Sequence, residues 1–241
     1  MNTDMEKLKL GNITIDIIKK DIKNMHLSVH PPTGRVRISA PRRLDMDTIR
    51  IFAISKLNWI KKHQTNIKNQ QREAPRDYVN RESHYFRGRR YLLKIIEHNA
   101  PPKVELKHST IELYVRPKSD RNKRKEILDE WYRKHLKEAT PPLIEKWEKK
   151  MGVRVNEFGI KKMKTKWGTC NRQAKRIWLN LELAKKPPEC LEYIIVHEMV
   201  HMLERNHTDR FIRLMNKFMP KWRFYRDELN RFPVSHGDWK Y

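Results

Sequence analysis

Between Pro187-Pro188 and Glu204 the chain is apolar on nearly every side, with Leu191, Ile194, Ile195, Val196, Met199, Val200, Met202 and Leu203 distributed around a helical period. A helix without a polar face must be surrounded, so the rest of the molecule has to fold around this one. Set inside it are His197, Glu198 and His201. Burying two imidazoles and a carboxyl without partners costs several kcal/mol. Residues four apart lie one above the other on a helix, so the two imidazoles project from one face with Glu198 beside them. That spacing lets both grip one zinc ion at about 2.0–2.1 Å, while the acid after the first ligand reaches a water on the ion instead of the ion. A metal centre in a buried helix over about 189–204 is the expectation.

A third ligand follows at His207, six residues past His201, where Glu204-Arg205-Asn206 breaks the apolar run and a further helix is expected over Asp209–Met219. Glu204 and His236 compete for the place, the first still within the helix and the second in a C-terminal tail. Three protein ligands leave one position open, which is the pattern of a catalytic zinc site rather than a structural one. Cys170 and Cys190 form no CxxC pair, and two cysteines in 241 residues is the usage of a reducing compartment. Both are expected as ordinary thiols. The other eight histidines are expected at the surface.

The remaining periodicities describe an α+β chain. Residues 12–20, 25–31 and 35–40 alternate apolar with polar around Pro31-Pro32-Thr33-Gly34, predicting a small antiparallel sheet. Asp45 or Asp47 caps a helix to about residue 68 through Ile49, Phe52, Ala53, Leu57 and Ile60. Strand character resumes over 85–96 and 111–115, and a charged amphipathic helix starts near Arg121 with a break expected at Pro141-Pro142. Arg176–Leu183 alternates again as a strand. No internal repeat is legible. The expected organisation is an α+β segment over 1–118 and a catalytic segment over 119–241, joined as one continuous unit.

Lys and Arg total 54 against 29 Asp and Glu, a net charge of +25. The basic residues fall in several clusters, Arg87–Arg90, Arg121–Lys125 and Lys161–Lys166, so the charge belongs to a folded surface, and DNA or RNA is the candidate polyanionic partner. No apolar window approaches the roughly 20 residues that span a bilayer, so no membrane partner is expected. The N-terminus shows no basic stretch followed by an apolar run, and a cytoplasmic location is the expectation.

The run Lys164-Thr-Lys-Trp-Gly-Thr-Cys170, then Ile177-Trp-Leu-Asn-Leu181, then His197-Glu-Met-Val-His-Met-Leu-Glu-Arg-Asn-His207 and Phe211, resembles the YgjP-like metallopeptidases, relatives of the SprT-type zincins. The resemblance covers most of the chain and is strongest over about 120–225. It implies a zincin-like catalytic half with the buried HExxH helix and a small mixed or antiparallel sheet, one zinc ion per chain on His197, His201 and His207, and Glu198 as general base. In zincin-like enzymes the alternating strand borders the cleft and pairs with an extended peptide, here placing Arg176–Leu183 at the border. Trp167 and Trp178 are candidates to line its pockets or to pack in the core. Glu192 and Asp209 are candidates to orient the ligand imidazoles. Tyr225, Arg223 and His236 are equal candidates to stabilise the oxyanion. The resulting expectation is a zinc endopeptidase acting on proteins or peptides, including proteins bound to nucleic acid. The rival readings are a basic nucleic-acid-binding module with a structural zinc and no peptidase activity, and a zinc hydrolase of non-protein amides.

Overall fold

The computed structural model describes residues 5–30, 33–69, 76–163 and 166–231. Pro31-Pro32, Lys164-Thr165 and His236 lie outside the described residues. The chain forms two compact units, Met1–Gln71 and Arg72–Tyr241. The border expected at 118/119 falls inside the second, because Leu93, Ile111, Leu113 and Val115 share one core with Leu128, Tyr132 and Leu136.

The first unit runs β1 (Met5–Leu10), β2 (Ile13–Lys20), β3 (His26–His30), β4 (Arg35–Pro41), α1 (Met46–Ser55) and α2 (Leu57–Asn69). Ile15, Ile17, Val36, Ile38 and Ala40 form a core with Ile49, Ala53 and Ile60 of the helices. The strand order is β1-β2-β4-β3, with β2 and β4 parallel and the outer pairs antiparallel. The sheet is mixed, not antiparallel, because alternation marks which face a side chain takes and says nothing of which strand lies next to it. The Asp45 carboxylate accepts from Thr48 N at 2.7 Å and starts α1. The single helix expected to residue 68 is divided at Lys56, whose N–H bonds back to the Ala53 carbonyl.

The second unit opens with β5 (Ser83–Phe86), β6 (Arg89–Glu97), β7 (Lys103–Leu106) and β8 (Thr110–Val115), followed by α3 (Arg121–Met151). Its strand order, β5-β6-β8-β7, and its pairing senses repeat those of the first sheet. Asp120 accepts from Lys123 N at 2.7 Å, as Asp45 does from Thr48. An internal repeat of topology therefore exists where none was legible in sequence. The α3 helix is continuous through Pro141 and Pro142, correcting the expected break. Leu136, Thr140, Ile144, Trp147 and Met151 stay buried along one side, and Thr140 Oγ1 donates to the Leu136 carbonyl at 2.7 Å just ahead of the prolines. Burial of that stripe outweighs the two missing donors. His84, expected at the surface, is buried. Desolvation, with Arg76 and Lys185 nearby, lowers its pKa to about 3 and keeps the ring neutral.

Three short strands follow, β9 (Glu157–Lys161), β10 (Gly168–Asn171) and β11 (Arg176–Asn180), then a 3₁₀ turn over Leu181–Lys185, α4 (Pro188–Leu203), α5 (Asp209–Phe218) and α6 (Trp222–Arg231). The strand expected over Arg176–Leu183 ends at Asn180 because that side chain caps the turn. Its Oδ1 accepts from Glu182 N, and its Nδ2 donates to the Met163 and Lys166 carbonyls. The hairpin joining β5 and β6 turns through Arg87 (φ 47°) and Gly88 (φ 77°), whose N–H groups bond the Ala184 and Lys185 carbonyls at 2.9 and 3.1 Å. This pins the sheet onto the segment that leads into α4. A Cβ on Gly88 would lie 2.9 Å from Pro187 Cγ. Gly88→Ala is therefore expected to lower stability by about 1–3 kcal/mol, read as a fall in the urea midpoint at unchanged slope. Among the described residues no helix is long and apolar enough to cross a membrane.

Candidate active site

The α4 helix begins with Pro188 in its first turn, which needs no N–H there, and is buried along Cys190, Leu191, Tyr193–Val196 and Glu198–Val200. It ends at Glu204, whose N–H still bonds Val200 O. The chain then reverses. Thr208 caps α5 by accepting from Phe211 N at 3.4 Å, and this brings His207 back over the end of α4. Phe211 is buried among the three imidazoles, with ring centroids 5.0, 4.8 and 4.7 Å from His197, His201 and His207. It is the wedge that sets their spacing.

One ligand atom from each of His197, His201 and His207 lies within 4.8 Å of the others. The Nε2 atoms of His197 and His207 face each other at 3.1 Å, a gap that holds at most one proton. His201 Nδ1 lies 3.2 Å from the Glu204 carbonyl, and donation to that oxygen leaves Nε2 as the free lone pair. His197 Nδ1 is buried with no hydrogen-bond partner. Desolvation, with His201 and His207 adding to it, lowers the pKa of His197 to about 3, so the ring is neutral, which is the form that binds metal. The donor set and its convergence fit a divalent transition metal such as zinc.

Glu198 is 5% exposed and makes no protein hydrogen bond among the described residues. Burial raises its pKa to about 8, with Lys166 pulling the other way. It lies against β10 at Gly168, where a Cβ would sit 2.7 Å from Glu198 Oε1, 2.8 Å from its Cγ and 2.9 Å from Ile194 Cγ2. Gly168 thus gives the strand its close approach to the helix. Gly168 stands in the Lys164–Cys170 run with no role legible in the sequence alone. Its signal is a glycine inside a strand, which often marks close approach of another element.

A cleft of about 1120 Å³ opens over these groups, lined by β10, α4, the loop through His207, and Arg226 and Leu229 of α6. The strand bordering it is β10, not the segment Arg176–Leu183. The order is β10-β11-β9, so β10 is the outer strand and β11 is paired on both sides. Trp167 lines the cleft. Trp178 does not, its ring lying over Gly159, with Lys161 Nζ 4.7 Å from its centroid. Glu192 is engaged elsewhere, accepting from Lys146 Nζ at 2.6 Å and Trp147 Nε1 at 2.8 Å. Asp209 makes no hydrogen bond to the three rings. Of the oxyanion candidates, Arg223 donates to Asn216 Oδ1 and, like Tyr225, is outside the cleft lining. Arg226, from the same helix, is the residue that reaches it. Burial, with Glu198 adding to it, raises the pKa of Cys170 to about 11, so the thiol stays protonated.

Residues 23–232 match the family described as the YgjP-like metallopeptidase domain. No curated protein matches the chain. Among solved structures, the metallopeptidase zymogen abylysin of Pyrococcus abyssi aligns at 22% identity with a TM-score of 0.35, over 39% of this chain and 97% of that one.

Proposed function

The chain belongs to the YgjP-like metallopeptidase family, and within it we propose a zinc-dependent endopeptidase with one zinc ion on His197, His201 and His207 and with Glu198 as general base. The observation that carries this reading is the convergence of three imidazoles beside one buried carboxyl at the floor of an open cleft. His197, His201 and His207 would hold the zinc, which would supply Lewis acidity toward a peptide carbonyl and lower the pKa of water to about 7. Glu198 takes the proton of the attacking water and returns it to the leaving amine nitrogen. Its burial raises the carboxyl's pKa and so favours holding the proton for the leaving amine, while a cation on the neighbouring imidazoles would favour the ionised form that accepts it. The outer edge of β10 offers backbone hydrogen bonds to an extended peptide, which aligns the scissile bond over the imidazoles.

The test is peptide cleavage by the protein before and after chelation, with metal content measured alongside. Chelation is expected to abolish cleavage, and one zinc per chain to restore it. Thermal unfolding should rise with free zinc, by about 2.7 kcal/mol at a hundredfold excess over Kd. Cleavage that survives complete metal removal would overturn the reading. The net charge of +25 supports a finer form in which substrates are proteins held on nucleic acid. Its mark would be DNA affinity falling with salt at a log–log slope near −0.9 per phosphate contacted. A structural-zinc binding module gives no use to a carboxyl buried beside the ligands, as Glu198 is.

A further inference from the structure

The cleft that holds the proposed peptidase site is charged in a one-sided way. Lys166, Arg172, Arg205 and Arg226 line it, and the sole carboxyl among its lining residues is the buried Glu198. Four different stretches supply these cations: the approach to β10, the turn leaving β10, the loop after α4, and α6. Lys166, Arg172 and Arg205 are exposed, and none has a carboxylate partner among the described residues. Arg226 pairs only with its neighbour Asp227. On α3, Lys123 pairs with Glu126, Lys125 with Asp129, Arg133 with Glu130 and Lys149 with Glu145. On a chain of net charge +25 many cations have no acid beside them; what sets the cleft apart is that four from different stretches meet around a single carboxyl.

Lys166 and Arg172 bracket β10, one lying two residues before its first residue and the other one residue after its last. Extended chain rises about 3.3 Å per residue, so they stand beyond opposite ends of a strand roughly 13 Å long. A peptide laid along the outer edge of β10 meets one cation toward each end, with Arg205 and Arg226 also among the side chains lining the cleft. We propose that the substrate is an extended peptide carrying Asp or Glu on both sides of the scissile bond, and that Lys166 and Arg172, at opposite ends of β10, are its specificity-determining residues. This rests on the peptidase reading of the same site. Exposed ion pairs are individually weak, so selectivity comes from several acting together and from attraction of the acidic chain into the cleft.

The experiment uses the full chain loaded with zinc and three peptides that share one central sequence, with flanks of Asp/Glu, Ser/Gln or Lys/Arg. The expected order of kcat/KM is acidic, neutral, basic, with roughly tenfold between the extremes at low salt and a smaller ratio at high salt. Lys166→Glu combined with Arg172→Glu should invert the order, and Arg205→Glu alone should narrow it. Lys149→Glu, on α3 and outside the cleft, should leave it as in the wild type. Equal rates on all three peptides, or an order the double variant does not change, would overturn the substrate preference and leave the peptidase reading standing. Failure to cleave any of the three with zinc bound would remove the peptidase reading and this inference together. If the double variant loses single-stranded DNA binding while the peptide order holds, the cations serve a nucleic acid and the proposal fails.

Discussion

Glu198→Gln is expected to keep the fold and the full zinc content and to lower kcat for peptide hydrolysis by about 10²–10⁴-fold, with little change in KM. The side chain sits beside the ligands on α4 without being one of the three converging imidazoles, so an isosteric amide leaves the metal's donors in place. An amide cannot accept a proton at neutral pH, so what is lost is the proton transfer itself, an interaction made in the transition state. Burial already disfavours the charged form of this carboxyl, holding its pKa at about 8. Neutralising it therefore relieves a desolvation cost, and the unfolding midpoint should not fall. Glu198→Asp, one methylene shorter, should recover part of the rate. Steady-state kinetics with metal quantified in the same samples checks all three points. A Gln variant that keeps more than a tenth of wild-type kcat with zinc bound would remove Glu198 as the base, and one that loses zinc would make it a ligand instead.

The convergence of His197, His201 and His207 was legible because each of its parts is written in local sequence. The apolar run of α4 has a clear period, His197 and His201 are one turn apart within it, and the polar break after Leu203 marks where the chain can return with His207. What surrounds the centre was legible only in kind. Alternation found β2, β3 and β4 of the first sheet but neither β1 nor the parallel run of β2 and β4, since pairing is decided by side chains distant in sequence, such as Ile15 opposite Val36. The same limit hid the repeat of that topology in β5–β8. Pro141-Pro142 reads locally as a break, yet Leu136, Ile144 and Trp147 on either side pack into one core and the helix continues. The cleft border was expected at Arg176–Leu183 and lies instead at β10, the neighbour of β11, for a related reason. β11 has the stronger alternation, and that strength reflects its central position in the sheet, whereas the outer strand β10 is short and begins at a glycine.

Gly168→Ala is the second large effect expected, a fall in kcat of about 10²-fold with zinc retained. The added Cβ would meet Glu198 Oε1 at 2.7 Å, Glu198 Cγ at 2.8 Å and Ile194 Cγ2 at 2.9 Å, all closer than real contacts allow. Ile194 is packed into the core, so the Glu198 carboxylate is the freest of the three to yield. The misfit is therefore relieved by moving the base, and a displacement near 1 Å at a reacting group is enough for a loss of this size. Overpacking also lowers stability, by about 1–3 kcal/mol, and Gly168→Val should lower both quantities further. The route of the effect is separable from simple disruption of β10 by combining the changes. If Gly168 acts through Glu198, then Gly168→Ala adds little loss of kcat once Glu198 is already Gln, because the group it displaces no longer transfers a proton. Full additivity of the two losses would show instead that the strand, and the peptide it carries, has moved.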